Sequence, residues 1–94
     1  MMSGEECVFK NSQIEKVYSD IIKEQLVDES NYLLKNLPIE NINIDINKNG
    51  LMKIDYSISE KKIKIDMEYD GGLTEIKLER INNDVRRTII YEAD

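Results

Sequence analysis

Histidine is absent from this 94-residue chain, and cysteine occurs once, as Cys7. Without histidine the usual zinc ligand sets and the commonest general base are missing, and a single cysteine excludes an internal disulfide framework. A reactive thiolate needs a neighbouring base or a helix N-terminus, so Cys7 reads as an inert thiol. No apolar run approaches the roughly 18 residues of a membrane span, and the opening MMSGEECVFK carries acids where a secretory signal would carry bases. These absences predict a cytoplasmic protein with no membrane partner and no cofactor.

Basic charge is also scarce, with 13 Lys and Arg against 19 Asp and Glu for a net charge of −6. The excess is uneven. Residues 1–47 hold nine acids and four bases, whereas residues 48–94 hold ten acids and nine bases. Such a surface repels nucleic-acid phosphate and anionic lipid, which argues against direct binding to either. The length suits one domain over 1–94, and 40% hydrophobic residues arranged in clear periods describe a folded chain.

The apolar pattern changes period once. Residues 1–10 read as irregular or as a short strand at Cys7–Phe9. Ser12 and Glu15 then form a capping-box pattern, and Ile14, Val17, Tyr18 and Ile21 fall on one face at helical spacing. The stripe continues through Ile22, Leu26, Leu33, Leu34 and Leu37, predicting a helical segment over 12–37, either curved or broken near 28–30. Pro38 closes it. From Ile39 the period is two, with runs around Ile42–Ile46, Met52–Ile58, Ile63–Tyr69, Leu73–Arg80 and Val85–Tyr91. Their connections are too short for crossovers, so the strands form an antiparallel meander over 39–91. The fold class is therefore α+β: an N-terminal helix packed on one face of a four- or five-stranded antiparallel β-meander. In outline this resembles the cystatin-like and related helix-grip folds, whose inhibitor motifs are absent here.

Asp45-Ile46-Asn47-Lys48-Asn49-Gly50 matches the first half of a calcium-loop pattern. A calcium loop requires a bidentate glutamate at position twelve, where this chain has Tyr56, and flanking helices, where it has strands. The stretch reads instead as a turn. A three-residue loop of Lys48, Asn49 and Gly50 pairs Ile46 with Met52, Ile44 with Ile54 and Ile42 with Tyr56 inside, with Asp45 opposite Lys53 outside. Closing Gly71-Gly72 as a two-residue turn pairs Met67 with Ile76 and Ile65 with Leu78 inside, with Asp66 opposite Lys77 and Lys64 opposite Glu79 outside. Ser59–Lys62 lets Ile58 oppose Ile63. In the last strand either Ile89 or Ile90 points inward, and Arg86 and Arg87 exchange faces accordingly.

The chain offers few groups for chemistry. Asp66, Glu68 and Asp70 alternate along a strand near Asp55, but a flat mixed-charge face lacks the burial that tunes a catalytic carboxylate. Tyr18, Tyr56 and Tyr69 fall in phase with the core and read as core residues with a wet hydroxyl. Arg80, Arg86 and Arg87 form the one arginine cluster. No catalytic, cofactor or metal residue is assigned, and the protein reads as a non-enzyme. The candidate partner-binding residues are the acids of the helical half, Glu15, Asp20, Glu24, Asp28 and Glu29. They suit a basic surface on another protein, as in an inhibitor or an immunity or counter-defence protein. The competing expectations are a homodimer or structural subunit pairing through the apolar strand 39–47, and a divalent-ion or small-ligand binder using the acidic sheet face.

Overall fold

The computed structural model describes residues 2–93. Strand β1 (Met2–Phe9) precedes helix α1 (Ile14–Lys23), a single 3-10 turn at Ser30–Tyr32, and strands β2 (Ile42–Lys48), β3 (Leu51–Ile58), β4 (Lys62–Tyr69), β5 (Gly72–Ile81) and β6 (Asp84–Ala93). All six strands form one antiparallel sheet in the order β1-β6-β5-β4-β3-β2. The meander is as the alternation predicts. The sixth strand is β1, which pairs with β6 along its whole length, from Met2 opposite Glu92 to Phe9 opposite Val85. Its polar sequence SGEEC has no alternation to reveal it.

The helix is much shorter than 12–37. Gln13, not Ser12, is the N-cap, and no side chain caps the helix. Ser12 is committed elsewhere: its amide donates to the Asn83 carbonyl at 3.1 Å, and its carbonyl accepts from Arg80 at 3.4 Å. At the other end Leu26 N–H donates to Ile21 C=O and Gln25 N–H to Ile22 C=O. With Gln25 in the left-handed region at φ 51°, this is a Schellman stop. Glu29 is left-handed too, at φ 55°. The apolar positions beyond Lys23 nonetheless reach the core, with Val27 and Leu33 buried and Leu26, Leu34 and Leu37 packed against it. They do so from an irregular segment.

That segment is held by tyrosine hydroxyls. Tyr91 donates to Leu26 C=O at 3.0 Å and Tyr69 to Asp28 C=O at 2.8 Å. Tyr18 donates to Leu34 C=O, and Leu34 N–H donates to Tyr56 Oη at 2.9 Å. The Tyr18 proton is thereby used, so in the 2.8 Å contact between the two hydroxyls Tyr56 is the donor. The three bonds close a ring. Burial raises both pKa values. The Tyr18 and Tyr56 hydroxyls are buried, not wet as the sequence suggests, that of Tyr69 is exposed, and all four satisfy backbone groups that a helix would have paired internally.

Two registers differ from expectation. Asn49 and Gly50 form a two-residue turn with φ 54° and 85°. A bulge between Asp45 and Lys48, with Asn47 at φ 52°, absorbs the extra residue, so Asp45 still faces Lys53 while Lys48 faces Leu51. Ile42 to Tyr56 and Ile44 to Ile54 pair as predicted, but Ile46 does not meet Met52. A second bulge in β3 turns Met52 outward and buries Leu51 in its place. At the β4–β5 turn the loop is Asp70-Gly71, and Gly72 belongs to the strand. A side chain at Gly72 would collide with the Glu92 carbonyl, so that glycine serves close strand approach, not the turn. The register moves by two and the faces keep their identity: Ile65 meets Ile76 and Ile63 meets Leu78. In β6 it is Ile89 and Arg87 that face inward.

Candidate partner-binding site

The five acids proposed from the sequence do not form one surface. Glu15 lies exposed at the start of α1, in a cleft with Lys35 and Ile39. Asp20 is engaged by Lys16 one turn earlier at 2.7 Å. Glu24, the exposed C-cap, lies roughly 13 Å from Glu15 along the axis. Only Asp28 and Glu29 share a site. They overhang a cavity of about 310 Å³ at the end of the sheet, walled by Tyr69 and Tyr91 and closed by Leu73 and Glu92.

Each wall residue is placed by its strand end. Tyr69 is the last residue of β4 and Tyr91 lies near the end of β6, on the inner face beyond the reach of α1. Their hydroxyls fasten Leu26 and Asp28, which brings Asp28 and Glu29 over the opening. Burial pushes the Tyr69 phenol up to about 12, and the charges of Glu29 and Asp28 push the same way. Burial likewise raises Tyr91, helped by Glu5 and Asp28 and opposed by Arg87. Among the described residues Asp28, Glu29 and Glu92 line the cavity and no lysine or arginine does, so its lining is acidic. Its aromatic walls add a second attraction for a cation.

The outer face of the sheet is different. Asp55, Asp66 and Glu75 lie directly opposite one another on β3, β4 and β5, and Lys64 faces Lys77. The pairings Asp66–Lys77 and Lys64–Glu79 do not occur. Other ion pairs replace them: Lys64 with Glu75 diagonally at 3.3 Å, Lys77 with Glu75 along β5 at 3.4 Å, and Lys53 with Glu68 directly opposite at 3.3 Å. Asp66 sits in the middle with one carboxylate oxygen buried and unbonded. Burial raises its pKa, against the pull of Lys64. Among the described residues no group of three or more cysteine or acidic side chains is arranged to hold a metal ion.

The three arginines diverge. Arg80 donates to Gln13 at 3.1 Å, and Arg86 reaches Glu79 at 3.4 Å on the outer face. Arg87 is buried on the inner face, 5.0 Å from the Phe9 ring centre and 3.7 Å from Glu5. Cys7 is exposed. Sequence reasoning missed Tyr91 and Glu92 as site residues because the strand ends that assemble the cavity are distant in the chain. The sole local signal was a tyrosine in the inward phase near each strand's end.

These features define a two-layer α+β domain with an acidic, tyrosine-walled cavity at one end. No known family model, curated protein or solved structure matches the chain. Among the described residues no helix is long and apolar enough to cross a membrane.

Proposed function

We propose that the protein is a non-enzymatic binding module that takes a basic side chain of a partner protein into the cavity beneath Asp28 and Glu29. The observation that carries this reading is the combination of three acids, two tyrosine walls and, among the described residues, no lining base. At about 310 Å³ the cavity lies at the small end of the roughly 300–1,000 Å³ of ligand sites, a size for one side chain. Inhibitors and immunity-type proteins are the specific forms this activity would take. An ion-binding role for the outer face is less well supported, because lysines already occupy its carboxylates.

The test is an NMR titration with capped arginine and capped lysine, using capped glutamate as control. The basic probes should shift the amides of Thr74, Tyr91 and Glu29, and Asp28→Asn with Glu29→Gln should abolish the shifts. Equal responses to glutamate, or shifts centred on Asp55 and Asp66, would sink the proposal.

A further inference from the structure

The two edges of the sheet are not alike. β1 carries Glu5 and Glu6 at its middle, and an antiparallel second copy centred on that edge would place one of them against itself. β2 carries one central acid, Asp45, and a bulge after it. It pairs only with β3, its inward row is Ile42, Ile44 and Ile46, and neither lysine nor proline occurs from Ile39 to Asn47. Ile42 is 41% exposed and Ile39, just before the strand, 94%. Natural edges are blunted by charges, prolines, bulges or covering elements, and of these β2 has Asp45 and the bulge at its Lys48 end. Here the helix packs over β5 and β6 and leaves β2 open.

The side chains of β2 are complementary to themselves in one register. Directly opposite residues must share a face, so the strand can pair with its own copy about Asn43, Ile44 or Asp45. Centring on Asp45 opposes two carboxylates. Centring on Asn43 leaves the charged Glu40 against Ile46. Centring on Ile44 places Ile44 against Ile44 inside and Asn43 against Asp45 outside, brings Ile42 to Ile46 where the bulge begins, and brings Glu40, two residues before the strand, to the Lys48 end of the second copy. We infer that β2 is a self-association edge, through which two copies join their sheets antiparallel about Ile44. The contact is isologous, so it closes at a dimer. It lies away from the cavity, and the two readings stand or fall separately.

Sedimentation equilibrium from low micromolar to millimolar protein tests the inference. The mass should rise from 11.0 kDa towards twice that value and stop. Ile44→Lys, which sets two lysines face to face, should leave a monomer with unchanged circular dichroism. Glu40 and Lys48 are exposed, so their substitutions report on the interface without burdening the fold. Glu40→Lys alone should weaken the dimer roughly three- to tenfold, and adding Lys48→Glu should restore it. Asp28→Asn with Glu29→Gln should leave the dimer intact. A monomer at every concentration, a dimer indifferent to the charge reversal, or growth past two copies by pairing of β1 with β2 would each overturn the inference.

Discussion

The inner and outer faces of the sheet meet the same constraint of strand pairing by opposite means. On the inner face polar groups are few, and Tyr18, Tyr56 and the two Leu34 backbone groups close on themselves, although Nε of Arg87 is buried without a partner. On the outer face Asp55, Asp66 and Glu75 stand in line, as do Lys64 and Lys77, and these like charges are relieved by neighbouring lysines that remain partly in water. Removing a partner inside leaves an orphan in low dielectric, whereas outside water replaces it. The inner face should therefore respond strongly to single changes and the outer face weakly.

The sharpest contrast lies between neighbours on β3. Ile54 is fully buried, and Ile54→Ala should cost about 2–5 kcal/mol in chemical denaturation. Lys53→Ala should cost far less, because its ion pairs with Asp55 and Glu68 are solvent-exposed. Equal effects would break the comparison.

Tyr56→Phe keeps the ring and removes the acceptor for Leu34 N–H and the donor to Tyr18. It should cost about 1–3 kcal/mol. Tyr18→Phe should be similar, and the double variant should cost less than both together, because one ring of bonds is lost in either case. Strict additivity in a double-mutant cycle would show that the hydroxyls act separately.

Asp66 sharpens the outer side through pH. Its folded pKa is raised, so its contribution favours the folded state below the ordinary carboxylate value and is lost as pH rises through the folded one. At neutral pH Asp66→Asn should leave the melting temperature equal or higher. In acid, where the carboxyl is neutral in both states, the difference should shrink. A variant less stable at pH 7 than in acid, relative to the parent, contradicts the assignment. The smallest effect is expected from calcium: millimolar addition should not shift the melting temperature, because Asn47, Asn49 and Gly50 serve bulge and turn geometry.

What the sequence determined by itself was the alternation. A period of two assigns each strand residue to a face, and that assignment survives a register shift of two, which is why Ile54, Tyr56, Ile65, Met67, Ile76 and Leu78 are buried as read. The Ile14–Ile21 stripe is equally local. The tertiary structure decided the rest. Whether the chain after Lys23 stays helical depends on who satisfies its backbone, and the answer lies in tyrosines up to 65 residues away. Gly72 could not be told from a turn glycine until β6 lay against it. β1 became a strand because β6 offered an unpaired edge. The candidate cavity belongs to the same class, since Asp28, Tyr69 and Tyr91 meet only where strand ends and loop are brought together. A residue's own periodicity records which side it faces, whereas the partner it meets is set by chain that the local pattern does not contain.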